Sequence, residues 1–93
     1  MSKILDKVFS KNKDFPWQSF SGETIIINPN AQQSFELNEL GSFVWNQMDG
    51  VRSVSQIKEN ICEEYEVTDS IVEQDLNSLF ADLGEQNLII ERP

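Results

Sequence analysis

Phe35-Glu36-Leu37-Asn38-Glu39-Leu40-Gly41-Ser42-Phe43-Val44-Trp45 is the stretch in which the chain changes its period. Up to Leu37 the large apolar residues alternate with polar ones, as on a half-buried strand. Phe35 and Leu37 face a core on that reading, and Ser34 and Glu36 face away from it. Beyond Asn38 the apolar positions fall at Leu40, Phe43, Val44 and Met48, a helical spacing that leaves Trp45 at the margin. Asn38 between the two patterns is a good N-cap, because its side-chain oxygen can accept a free backbone N–H of the first turn. Gly41 is a poor helix former, and its place there predicts a close approach by a neighbouring element.

Working outward toward the C-terminus, Asp49-Gly50 predicts the end of this helix, with glycine in the left-handed conformation. Ser53-Val54-Ser55-Gln56 has the pattern of a capping box and opens a second helix running to about Tyr65. Val54, Ile57, Ile61 and Tyr65 share one face of it. Cys62 lies beside that face and reads as a small buried hydrophobe more readily than as a reactive thiol. Ser70-Ile71-Val72-Glu73 is a second capping-box pattern, with Thr68 as a rival start for the third and longest helix. Val72, Leu76, Leu79, Phe80 and Leu83 form its apolar stripe. Asn87 can take the left-handed position past the helix end, and Leu88-Ile89-Ile90 packs back as an extended tail.

Toward the N-terminus, Gln33 to Leu37 is the third of three predicted strands. Trp17-Gln18-Ser19-Phe20 is the first, entered through Pro16, and Glu23 to Asn28 is the second. Ser21-Gly22 predicts a two-residue hairpin loop between them, and Asn28-Pro29-Asn30-Ala31 a turn after them. The triple isoleucine Ile25-Ile26-Ile27 predicts that both faces of the second strand are partly covered, one by the helices and one by a further segment such as residues 1–9. Ile4, Leu5, Val8 and Phe9 are spaced like one side of a short helix. That segment is expected to dock on the sheet, because Leu5 and Phe9 would otherwise be exposed.

Three short strands followed by three helices joined by tight turns predict an α+β fold. It has the outline of a winged helix-turn-helix, a three-stranded antiparallel sheet followed by three helices. Ninety-three residues suit one domain over 1–93, with 1–14 as an N-terminal segment. A chain of this size buries roughly 60–65% of its unfolded surface, enough for a core without staples.

Composition removes whole classes of function. There is no histidine and a single cysteine, so no Cys–His or Ser–His pair, no disulfide within the chain and no cysteine-cluster metal site can form. The four glycines are scattered, so no phosphate-cradling loop is present. Glu63, Glu64 and Glu66 form an acidic cluster without the loop spacing of a calcium site. No apolar run approaches the roughly 18 residues of a membrane span, and residues 1–13 lack a signal-peptide core, so a cytoplasmic protein is expected. The net charge is −9, unevenly placed. Residues 1–20 carry four lysines against two aspartates, net +2; the remainder carries three cations against fourteen carboxylates, net −11. That surface repels phosphate, which disfavours a winged-helix DNA-binding regulator as the alternative function. It favours a basic partner or peptide.

What is left is a surface that binds. An exposed edge on the strand Gln33 to Leu37 would offer unpaired backbone groups to an added strand, and the third helix beside it would wall a groove. The apolar stripe of that helix is too wide for every member to be enclosed. Either the Ile71/Asp75/Leu79 flank or the Phe80 flank stays available.

Phe35-Glu36-Leu37-Asn38, Gly41, Val44-Trp45, Asp49-Gly50, Val54 with Ile57, Tyr65, and Val72 through Asp75-Leu76 to Leu83 together resemble the PqqD family, over about residues 17 to 90. The same domain is known as the RiPP recognition element, free-standing in the B1 proteins of lasso peptide synthesis. The resemblance implies a winged helix-turn-helix that binds no nucleic acid and performs no catalysis. It implies capture of a precursor's leader peptide as an extra strand, and its presentation to a modifying enzyme such as a radical SAM enzyme, a cyclase or a leader peptidase. Carried onto this chain, the leader pairs with Ser34, Phe35, Glu36 and Leu37 and contacts Val72, Asp75, Leu76 and Leu79. No cofactor or metal is implied. The chain departs from the family at Asn87, where glycine is usual, and in its lysine-bearing residues 1–14, which leave open a contact with the partner enzyme.

Overall fold

A computed structural model describes residues 4–30 and 32–92. Ala31 of the expected turn and the first three residues of the N-terminal segment lie outside them. In order come a 3-10 turn (Ile4–Asp6), β1 (Val8–Lys11), β2 (Trp17–Phe20), β3 (Glu23–Asn28), β4 (Gln33–Leu37), α1 (Glu39–Gln47), β5 (Asp49–Ser53), α2 (Val54–Glu64), α3 (Asp69–Glu85) and β6 (Ile89–Arg92). The fold is α+β, with two three-stranded antiparallel sheets, β2-β3-β4 and β5-β1-β6, and three helices. No helix among the described residues is long and apolar enough to cross a membrane.

The first sheet is the expected one. Ser21 and Gly22 both take positive φ, 51° and 79°, the tight hairpin geometry that matches strand twist. Trp17 stands opposite Ile26 and Ile26 opposite Phe35, while Thr24 stands between Ser19 and Leu37. Directly opposed residues share a face, so this set makes the face turned to the helices. Thr24 on that face and Ser42 of α1 against it are buried polar groups. Their hydroxyls form a chain: Ser19 to Thr24 at 2.6 Å, Thr24 to Ser42 at 2.7 Å, and Ser42 to the Leu37 carbonyl at 3.4 Å. That chain fastens α1 to the sheet without leaving a buried hydroxyl unpaired.

The second sheet was not expected. Val8–Lys11 is its central strand, in register with Ile89–Arg92 on one side and Asp49–Ser53 on the other. The N-terminal segment therefore docks, though as a strand and not as a short helix. It does not cover the outer face of β3, where Ile27 remains 47% exposed. Its Phe9 instead stacks on Phe80 of α3, ring centroids 4.9 Å apart. Asp49-Gly50 also departs from expectation. Gly50 has the positive φ, 79°, but α1 has already ended at Gln47. The glycine serves a bulge, since Val8 pairs with Ser53 and Ser10 with Asp49. The Asp49 carboxylate accepts from the backbone N–H of Val51 and of Arg52, both at 2.9 Å, which holds its pKa below the usual carboxylate value.

The helix ends follow local chemistry. Asn38 Oδ1 accepts from Gly41 N at 2.9 Å. The Ser53/Gln56 capping box is complete, at 2.8 and 3.2 Å. The third helix begins at the rival position, with Thr68 as N-cap and no side-chain capping bond. At its end Asn87 has φ 61°. Leu88 N donates to Leu83 O at 2.9 Å and Asn87 N to Gly84 O at 3.1 Å, the paired bonds of a Schellman motif.

The core gathers Ile26, Leu37, Val44, Trp45, Met48, Val54, Ile57, Ile61, Val72, Leu76, Phe80, Leu83, Leu88 and Ile89. Trp45, expected at the margin, is fully buried. Trp17 meets it edge-on at 6.0 Å, and the Lys11 ammonium lies 5.6 Å from its ring. Lys11 donates to the Met48 carbonyl at 2.9 Å, and its partial burial lowers its pKa against the opposing pull of Asp49.

Candidate functional site

Among the described residues, β4 pairs with β3 and has no strand on its other side. Its outer edge presents unpaired backbone N–H and C=O groups, the condition for adding a strand. Two hollows locate α3 relative to that edge. One, about 150 Å³, is lined by Ile26, Asn28, Gln33, Ser34, Phe35, Gln86 and Leu88. The other, about 320 Å³, is lined by Asn38, Leu40, Gly41, Val44, Asp75, Leu76, Ser78 and Leu79. The start of β4 thus lies by the end of α3, and the residue after β4 lies by its middle. Ser34 to Asn38 spans about 14 Å of strand, and Gln86 back to Leu79 and Asp75 spans about 10–16 Å of helix. Strand edge and helix run side by side in opposite directions, with one hollow toward each end. The smaller hollow is below the range of drug-sized pockets and the larger at its lower limit; both suit single side chains of a peptide.

The expected residues divide by burial. Ser34 and Glu36 are exposed on β4, Phe35 is half-buried, and Leu37 is 5% exposed. On α3, Asp75 is exposed, Leu79 half-buried, and Leu76 and Val72 each 1% exposed. Ser34 and Phe35 line the smaller hollow; Asp75, Leu76 and Leu79 line the larger. Val72 and Leu37 lie beneath, seating helix and strand. Leu76 forms the floor of the larger hollow while belonging to the core. The open flank of α3 is the one carrying Ile71, Asp75 and Leu79, because Phe9 covers Phe80.

Several lining residues escaped the sequence reading. Asn28 is polar and carries no periodic signal, and Leu40 and Val44 were read as core alone. Gly41 did carry one. A Cβ there would lie 3.2 Å from Leu37 Cβ and 3.3 Å from Asn38 Oδ1, so the glycine lets α1 close down on β4 beside the larger hollow.

Elsewhere, Cys62 and Tyr65 are held by structural partners. Cys62 is half-buried and its thiol donates to Asp69 Oδ1 at 3.3 Å; loss of solvent, then the carboxylate, pushes its pKa up. Tyr65 donates to Glu39 Oε2 at 3.2 Å; here too loss of solvent, then the carboxylate, raises the pKa. Among the described residues no group of three or more His, Cys, Asp or Glu is placed to hold a metal ion.

The family model described as coenzyme PQQ synthesis protein D (PqqD) matches residues 23–89. Among solved structures, TbiB1 in complex with the TbiA(beta) leader peptide is similar at TM-score 0.77 and 22% identity, over 86% of this chain and 93% of that one. A lasso peptide synthetase B1 complexed with its leader peptide gives TM-score 0.77 and 16% identity, over 88% and 96%. The heterocyclase TruD gives 0.62 and 15%, over 92% of this chain and 12% of that one. No curated protein matches.

Proposed function

The chain belongs to the PqqD family, and we propose that it is a peptide-binding adaptor that captures the leader of a ribosomally made precursor by strand addition to β4. The observation that carries this is the open edge of β4 running antiparallel to α3, with a side-chain-sized hollow toward each end. Two structural relatives hold leader peptides, which supports the same reading. The leader pairs with the backbone of Ser34, Phe35, Glu36 and Leu37. Its side chains meet Asp75 and Leu79 above the floor made by Leu76, with Val72 holding the helix in place.

Main-chain pairing gives affinity in this mode, and the hollows give selectivity. The adaptor then presents the bound precursor to a modifying enzyme, of which a radical SAM enzyme, a cyclase and a leader peptidase are the candidate types. The likeness to a short part of a heterocyclase supports such an association. We read residues 1–93 as one peptide-binding domain working in the cytoplasm, its β2–β4 sheet and α1–α3 helices arranged as a winged helix-turn-helix with an added second sheet.

The direct experiment is to titrate isotope-labelled protein with the leader of a candidate precursor peptide and follow backbone amide shifts. Shifts concentrated on Gln33 to Leu37 and on α3 are expected. Saturating leader that leaves both unmoved would overturn the proposal.

A further inference from the structure

The groove also indicates what sort of peptide fits it, a point that rests on the peptide-binding reading above. The open flank of α3 carries one ridge: Ile71, Asp75, Leu79, Asp82 and Gln86. On a helix the three- and four-residue steps of this ridge advance about 4.5–6 Å. Side chains on one face of an extended peptide advance about 6.8 Å per two-residue step. A strand laid between β4 and α3 therefore offers roughly one helix-facing side chain to each member of the ridge until strand twist carries it away.

The ridge alternates in character. Ile71 is 55% exposed and Leu79 half-buried at the larger hollow; Asp75 and Asp82 are exposed carboxylates. The ion pairs among the described residues are Lys7–Glu91, Arg52–Asp49 and Lys58–Glu73, so neither ridge carboxylate has a cation partner. No Lys or Arg lines either hollow. We infer that the peptide accepted here is basic, with Lys or Arg alternating with apolar residues at its helix-facing positions. Each cation stands against Asp75 or Asp82, and each apolar side chain against Ile71 or Leu79.

Two synthetic probes test this: Leu-Thr-Lys-Thr-Leu-Thr-Lys-Thr and the same peptide with Glu for Lys. An exposed ion pair changes affinity by about two- to fivefold. Exchanging attraction for repulsion at two sites is then expected to weaken binding by about tenfold or more at low salt, a gap that narrows as salt rises. The lysine peptide is expected to shift the amides of Gln33 to Leu37 and of Ile71 to Gln86. A protein carrying Asp75→Lys and Asp82→Lys, both at exposed positions, is expected to keep its amide spectrum elsewhere and to prefer the glutamate peptide. Equal affinity for the two peptides at the same amides would overturn the charge preference and leave peptide binding standing. Lysine-peptide shifts confined to the Glu63–Glu64 end of α2 would also overturn the preference. Failure of both peptides to move Gln33 to Leu37 at millimolar concentration would overturn both readings.

Discussion

Leu76 and Leu79 stand three residues apart on one helix and do different work. Leu76 is 1% exposed and its loss opens the core. Leu76→Ala is expected to cost about 2–5 kcal/mol, read from the denaturant midpoint. Leu79 is half-buried at the larger hollow. Leu79→Arg, with its head group reaching solvent, is expected to cost about 1 kcal/mol or less and to remove leader binding by titration. Equal destabilisation by the two would mean that Leu79 belongs to the core. Cys62 carries a prediction of another kind. Its folded thiol holds its proton to higher pH than the ordinary 9.0. Sulfhydryl reagent should therefore label it more slowly in the native protein at pH 8 than in the unfolded chain, and faster in Asp69→Asn. By linkage the same shift stabilises the fold below about pH 9, and that contribution is lost as pH rises through the raised folded value. Helical spacing was enough to mark the α3 stripe from sequence. Which flank stays open was not legible, because that is decided by Phe9, seventy-one residues earlier in the chain. Trp45 was misplaced for the same reason: Trp17 and Lys11, both remote in sequence, come to lie against it.

Among the elements, β1 is the one whose role local pattern concealed. Ile4, Leu5, Val8 and Phe9 have a helical spacing, and only pairing with β5 and β6 makes Val8–Lys11 a strand. β5 was hidden by Asp49-Gly50, whose turn chemistry is real but is spent on a bulge. By contrast β2, β3 and β4 declared themselves through alternation and through the Ser21-Gly22 loop, which needs no distant partner. Two substitutions follow from this level. Phe9→Ala removes the ring stacked on Phe80 and is expected to cost about 2–3 kcal/mol, below the 3–5 of a fully buried ring. A frayed N-terminal segment would show no loss. Asn87 sits at φ 61° as the residue closing α3. Its carbonyl, which accepts from Asn12 Nδ2 at 2.8 Å, belongs to the backbone and survives substitution. Asn87→Gly is thus expected to leave the fold as stable or to stabilise it by up to about 1 kcal/mol, read as an unchanged or raised melting temperature. A clear loss would show that the Asn87 side chain matters to the helix end.

For the molecule as a whole, charge and edge together favour a peptide over a nucleic acid. A net charge of −9 opposes a polyphosphate, and the expected result with duplex DNA in a low-salt electrophoretic assay is no retention. The second sheet leaves the β4 edge free by placing β1, β5 and β6 in a separate ladder. Strand addition at that edge has a signature that no other docking mode shares. In an antiparallel or parallel ladder alternate residues point their N–H groups to the same neighbour. Hydrogen exchange of the β4 amides, read residue by residue with and without saturating leader peptide, is therefore the most direct test. Alternate amides within Gln33 to Leu37, the set not bonded to β3, are expected to slow by about tenfold or more on binding. Bound leader that leaves every one of those edge amides exchanging at its free rate would contradict strand addition.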